Sequence, residues 1–433
     1  MSGELRAALR RNFTVNVLDG GFFGFAVGMA SFVTVIPLFV SQLTDSALLL
    51  ALIPAIHTLG WQLPQLLTVQ HVTRLRRYLP FVLKVSLQER IPYLGLALIA
   101  LFLPRLSTNL ALVLIYLMLI WQGFGGGFTA TAWQSMIAKI IPSHRLGIFF
   151  GSQQSAVSLF GAIAAALSGG LLATLAAPVN FAAVFGIAAV AMGISWGFLA
   201  STREPHHQAA QLSDESAALF LRRLPRLLRN DRNFVWYLVC RWLVQLGFMG
   251  SAFYSVYAVT QHDLPTVAVG FYTSLMLVTQ MLLSPVMGWL GDRWSHRLAM
   301  VLGTIALALS ALIAWWAPSG QWFAAVFLLL GAGQVAYWAP ANAILLEFAP
   351  SEEERPTYIG LANTLMAPAA ILAPLLGGFL ADSAGYPLAF LASALGAALT
   401  AALLFFMVRD PRHHRAQPMH SPIPADTQPA PGC

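Results

Sequence analysis

The sequence predicts an all-α membrane protein of twelve transmembrane helices, arranged as two pseudo-symmetric six-helix bundles, and three observations predict it. Of its 433 residues 58% are hydrophobic and only 9% are charged, whereas a soluble globular chain carries about a quarter charged residues. Apolar stretches of about 20 residues, enough to cross roughly 30 Å of hydrocarbon, recur along the whole length. Short motifs then repeat between the two halves at a fixed spacing. The ten-residue alternating segments of a transmembrane barrel are absent from the sequence.

The candidate spans run approximately 13–41, 47–70, 79–103, 108–137, 148–174, 177–201, 233–261, 267–290, 298–318, 321–347, 357–381 and 386–409. The first is too long for the apolar core of a secretory signal and lacks a clear small-residue cleavage site, so it reads as a retained helix. Lys and Arg near helix ends favour the cytoplasmic side. With the N-terminus inside, the inner segments hold 20 of the 24 basic residues, three more lie within spans, and the outer loops hold only Arg105. Both termini are therefore expected in the cytoplasm, in a bacterial inner membrane. The net charge of +7 is explained by this bias and calls for no nucleic acid. Cys240 within a span and Cys433 at the last position suggest neither a disulfide nor a metal site, and no cofactor is indicated.

The repeat sets the division. "RNF" opens the first span at Arg11 and the seventh at Arg232. "GFG" from Gly123 matches "GAG" from Gly331, Pro142-Ser143 matches Pro350-Ser351, and "GGLLA" from Gly169 matches "GGFLA" from Gly377, all at an offset of 208. The expected organisation is a cytoplasmic N-terminus (1–12), an N-terminal bundle (13–201), a linker (202–232), a C-terminal bundle (233–409) and a disordered tail (410–433). The linker contains "SDESAALFLRRLPRLLRN", a basic amphipathic segment that suits the inner membrane surface, opened by a plausible N-cap at Ser213 and broken at Pro225. The tail is rich in Pro and small residues.

Between the eighth and ninth spans lies "GWLGDRWSHR", Gly288 to Arg297. A tight inner turn needs the glycine, the carboxylate can meet a helix N-terminus or an Arg, and the basic residues suit the cytoplasmic surface. With Gly288, Asp292, Arg293 and Arg297 in place, this stretch resembles the inner-loop motif of the major facilitator superfamily, and the resemblance extends over residues 13–409. It implies alternating access around a central cavity lined mainly by the first, fourth, seventh and tenth spans. The matching loop of the first half, "VQHVTRLRRYLPFVL", keeps Arg74, Arg76 and Arg77 but lacks the Gly and Asp, which puts its inner lock in doubt. The family's antiporter pattern, Gly-Pro-x-x-Gly-Gly, is incomplete in the fifth span ("AALSGG"), while "APLLGG" in the eleventh carries Pro374; small-residue helix packing is the expected role of both. "GFGGGF" in the fourth span resembles a phosphate loop only superficially and, like the Gly20, Gly24, Gly28 stripe, reads as close helix packing.

Ionisable residues within spans are costly and are read first as functional. Asp19 and Arg241 lie about two turns into the first and seventh spans. They could form a conformation-dependent pair across the cavity, or Asp19 could carry a coupling proton while Arg241 holds an anionic group; a static pair is the structural alternative. Glu89 and Arg90 sit near mid-depth of the third span, with His57 at comparable depth in the second. A buried network of these three is expected, either fixing helix packing or relaying protons. Polar and aromatic candidates for the cavity wall are Asn16, Trp121, Gln122, Trp133, Gln134, Gln245, Tyr254, Tyr257, Gln334, Tyr337, Trp338 and Asn342, a mixture that suits a partly apolar organic ligand.

The expectation is a monomeric secondary transporter for a small amphiphilic solute, working in the lipid bilayer by proton-coupled efflux. A uniporter or importer of a sugar or organic anion is the alternative, and a non-transporting sensor of the same fold a weaker one. No nucleophile and base pair or metal cluster stands out to suggest an enzyme.

Overall fold

The computed structural model of the chain describes residues 3–205, 225 and 227–411, apart from 33, 45–46, 263–265 and 353. Most of the basic linker segment, including Ser213, Arg222, Arg223 and Arg226, and all but the first two residues of the tail lie outside the described residues.

The described chain is helical, without a strand. In order it forms α1 (Gly3–Met29), α2 (Val35–Ser41), α3 (Ala47–Gln62), α4 (Gln65–Thr73), α5 (Leu79–Phe102), α6 (Thr108–Ile140), α7 (Leu146–Thr174) and α8 (Val179–Ala200). After the linker come α9 (Arg232–Phe248), α10 (Tyr254–His262), α11 (Thr266–Arg293), α12 (His296–Trp316), α13 (Phe323–Phe348), α14 (Arg355–Ala384) and α15 (Tyr386–Phe406). Helix occupies all twelve predicted segments. Nine of them, among the described residues, hold helices long and apolar enough to cross a membrane. The first, second and seventh segments are instead divided into consecutive pairs, α1–α2, α3–α4 and α9–α10. At the α3–α4 break Pro64 removes a backbone donor and crowds the preceding turn. Between α9 and α10 the chain tightens into a 3-10 turn, Met249–Phe253, where Gly250 N–H donates to Ser393 Oγ at 3.1 Å.

Packing repeats as the sequence does. In the first half α1 lies on α7 and α8, α3 on α6, and α5 on α6 and α8. In the second half α9 lies on α14 and α15, α11 on α13, and α12 on α13 and α15. Counted by predicted span, these are the same five pairings in each half. The repeated "RNF" accounts for one of them. Asn12 donates from Nδ2 to the Arg203 carbonyl at 2.9 Å and accepts the Arg203 N–H at Oδ1, also at 2.9 Å. Asn233 makes the same two bonds to the backbone of Arg409, at 2.9 and 2.7 Å. Each asparagine thus stitches the first helix of its half to the chain leaving the last one. An amide suits this pair of bonds because it carries a donor and an acceptor on one planar group.

The "GFGGGF" glycines allow the close packing expected of them. A side chain at Gly127 would collide with the Gly60 carbonyl in α3, one at Gly60 with the backbone of Gly123, and one at Gly125 with the backbone of Gln88 and Glu89 in α5. The Gly24 and Gly28 positions of α1 lie equally close to Val157 and Gly161 of α7. Gly169, Gly170 and Gly378 differ: each has nothing within 4 Å, so the packing role expected of "AALSGG" and of the second glycine of "APLLGG" is not seen in this conformation.

Two buried cores follow. One lies within the first half, around Phe39, Tyr93, Phe181 and Phe185. The other runs through the second half and continues without interruption into the first at the end carrying the basic loops, taking in Val72, Leu79, Met136 and Phe149. The halves are therefore fused by apolar contact at that basic end.

Candidate functional site

Two seams join the halves, both near the basic end. In the first, α11 ends against the start of α7. Gly288 and Gly147 meet backbone to backbone, and a Cβ on either would strike the carbonyl of the other. Asp292 then accepts Gly147 N–H at 2.8 Å with Oδ1 and Ile148 N–H at 2.7 Å with Oδ2. The first turn of a helix has unpaired N–H groups and a partial positive charge, so a bidentate carboxylate satisfies both the donors and the dipole. Fully buried His296 stands 3.4 Å from Asp292 and 3.5 Å from Glu347 of α13. Arg297 turns away, donating to the carbonyls of Phe405 and Val408 at the end of α15, and Arg293 lies over the Trp289 ring.

The second seam pairs α4 with α14. Gln65 Oε1 accepts from Asn363 Nδ2 at 2.7 Å, Thr364 Oγ1 donates to the Gln62 carbonyl at 3.2 Å, and Leu66 N–H donates to Thr364 Oγ1 at 3.2 Å. Its bonds come from amides and hydroxyls, about one to two turns before Val69 and Thr73, the first-half positions that match Gly288 and Asp292.

Beyond both seams the outer ends of α7 and α14 are uncovered, with Ile163, Leu375 and Phe379 exposed beside the open Gly169, Gly170 and Gly378.

Asp19 does not face Arg241. It lies in the first half with Arg90, whose Nη2 approaches Asp19 Oδ1 at 3.4 Å, while Ser195 of α8 donates to the same oxygen at 2.6 Å. The reason is register: the "RNF" repeat aligns Asp19 with Cys240, on a face of α1 turned toward α5 and α8. Arg90 is held further by the Ser86 carbonyl at 3.2 Å and by Ser195 Oγ at 3.1 Å, over the Phe23 ring. Glu89 approaches Arg90 at 3.9 Å, and its carboxylate lies against Gly126 of α6. His57 does not join this cluster. It pairs at Nδ1 with Gln122 Oε1 at 3.0 Å and stacks on Phe32. The expected three-residue network is thus an Asp19, Arg90, Glu89, Ser195 cluster beside a separate His57–Gln122 pair.

In the second half Arg241 is 2% exposed. Its Nη2 donates to the Met366 thioether at 3.5 Å, and its guanidinium lies over the Tyr237 ring. Among the described residues it has no ion-pair partner, and its Nε and Nη1 are buried without a hydrogen bond, as is the Tyr337 hydroxyl.

The remaining candidates divide. Asn16 donates to Thr202 Oγ1, just past the end of α8, and to the Asn12 carbonyl. Trp121 lies on the exposed side of α6 with its indole N–H on Gln88. Gln334 accepts from Gln280 at 2.5 Å, tying α13 to α11. Tyr254 and Tyr257 belong to an aromatic cluster with Phe323, Phe327 and Phe390 at the outer end of the second half. Trp338 stacks on Phe248 and Trp133 packs on Phe150, Gln134 is buried, and Gln245 and Asn342 are half-buried. Sequence reasoning passed over Ser195, Gln65, Asn363 and Glu347. Uncharged Ser, Gln and Asn carry little signal in a helix that is apolar on every side; Glu347, near the end of an apolar span, could have been found.

Comparisons with known proteins agree with this architecture. A family model described as Major Facilitator Superfamily matches residues 90–273 and 246–430. The human protein "Solute carrier family 67 member A1" is 33% identical over 145 residues, 32% of this chain and 34% of that protein. A thioclapurine efflux transporter of Claviceps purpurea is 24% identical over 143 residues, 33% of this chain and 26% of its own length. The chain therefore spans about a third or less of each of these relatives. Among solved structures, the fucose:proton symporter of E. coli superposes with a TM-score of 0.74 at 15% identity, covering 93% of this chain and 100% of that one.

Proposed function

The chain belongs to the major facilitator superfamily, and from that premise we propose that it is a secondary carrier that exports a small amphiphilic solute in exchange for protons. It is an integral, multi-pass membrane protein. In this reading the broken pairs α1–α2, α3–α4 and α9–α10 each count as one crossing, giving twelve, with the basic end in the cytoplasm of a bacterial cell by the positive-inside rule. Residues 13–201 and 233–409 act as two bodies rocking about the seams, within a single monomer.

The observation that carries the reading is the placement of those seams. Halves joined at the cytoplasmic end and uncovered at the other describe a carrier open to the outside, the state that takes up protons in an exporter. Export is supported by the name of the efflux relative. Proton coupling is supported by Glu89, a buried carboxylate whose nearest cation, Arg90, is already engaged by Asp19. Asp19 becomes a structural anion, since buried pairs hold their geometry only when both partners remain.

Proteoliposome transport with and without a pH gradient tests the assignment. Glu89→Gln is expected to keep counterflow and lose gradient-driven accumulation. Asp19→Asn is expected to keep counterflow, to lower the thermal midpoint and, by freeing Arg90 for Glu89, to weaken accumulation only in part. If Glu89→Gln accumulates solute as well as wild type does, coupling through Glu89 is excluded.

A further inference from the structure

The two mid-membrane arginines are treated differently by the fold. Arg90 has a carboxylate, a hydroxyl and a carbonyl around it, and only its Nε lacks a partner. Arg241 has a thioether and an aromatic face. A guanidinium presents five N–H donors and cannot shed its charge by losing a proton. Burying it without a counter-anion is costly, and a bound anion offsets that cost. Arg241 lies nine residues into α9, about 14 Å from its basic end. That depth is just past the α4–α14 seam, since Met366 follows Asn363 and Thr364 within one turn of α14. Phe248 stands seven residues further along α9, on the same face and about 10 Å outward, stacked on Trp338.

We propose that Arg241, with the neighbouring Tyr337 hydroxyl, forms an oxyanion site, and that the solute is an amphiphilic organic anion: a carboxylate or sulfonate whose apolar body extends about 10 Å toward Phe248 and Trp338. This rests on the carrier reading above and deepens it. Arg241 supplies the fixed charge, Tyr337 a second donor, and the stacked aromatic pair a surface for the body.

The test uses the full chain, purified in neutral detergent and reconstituted into zwitterionic vesicles. The probes share one body: 1-naphthoate, 1-naphthalenesulfonate, the neutral 1-naphthamide and the cationic 1-naphthylmethylammonium. The two anions are expected to raise the thermal midpoint and to support counterflow with about tenfold better apparent affinity than the amide. Arg241→Met loses this preference and Arg241→Lys retains part of it. Met366→Glu keeps the inference open to refutation even if Arg241→Met fails to fold. It gives the guanidinium an internal carboxylate, so it is expected to raise the midpoint without ligand and to abolish the anion response. Equal response to amide and anion, or an intact anion response in Met366→Glu, overturns the assignment. So does a midpoint raised by phosphatidylglycerol with no effect of either naphthalene anion, since Arg241 would then hold a lipid headgroup. Counterflow of the cation alone removes the anion site and leaves the carrier. An anion-dependent midpoint with no flux of any probe keeps the site and removes the carrier.

Discussion

The α7–α11 seam and the α4–α14 seam do the same mechanical task with different chemistry. One sets a carboxylate on a helix N-terminus at a glycine–glycine crossing; the other relies on neutral amide and hydroxyl bonds. Charge-assisted bonds contribute about 1.5–3 kcal/mol and neutral ones about 1 kcal/mol. In the carrier reading proposed above, both seams open in every cycle. On that reading the closed basic end is held mainly from one side, and the neutral seam is expected to give way first.

The largest expected effect comes from filling the crossing. Gly288→Leu forces a side chain into the Gly147 backbone, which cannot move aside, at a cost of about 3 kcal/mol or more. Transport is expected to fall to background, and spin labels at Ser143 and Trp294 should report the basic end held open. An unchanged label distance would mean that the crossing does not set closure.

Asp292→Asn keeps the shape and removes the charge. A loss of about 1–2 kcal/mol is expected, a shift of about tenfold toward the open basic end, read with the same labels. Asn363→Leu on the neutral seam is expected to cost about 1 kcal/mol, seen with labels at His71 and Ser351 and hardly at all with the first pair. If Asn363→Leu opens the end as far as Asp292→Asn does, the two seams are equivalent and the asymmetry carries no mechanical meaning.

Much of this fold could be read without coordinates, for identifiable reasons. Twenty-residue apolar runs and the bias of Arg toward alternate loops record the bilayer directly. The repeated "RNF" marked a real stitch, although only the structure gives the reason for the asparagine. Asp292 was found because it sits in a motif with its glycine. Pairings between helices were harder. Whether Asp19 meets Arg90 or Arg241 depends on the rotation of α1 about its axis, and a helix apolar on all sides carries no stripe from which to read that rotation. Ser195, the second partner of Asp19, is uncharged and left no trace in composition. The breaks at Pro64 and after Phe248 escaped because apolar content continues across them unchanged.

The asparagine stitches also bear on how the protein is made. Asn12 waits for Arg203, 191 residues later, and Asn233 for Arg409, 176 residues later. Each bond closes a ring of helices, and the first ring needs nothing encoded beyond residue 203. Synthesis can therefore finish one bundle in the membrane while the ribosome is still translating the other. The second bundle can then assemble against a completed neighbour, with the seams between them closing only once both are present.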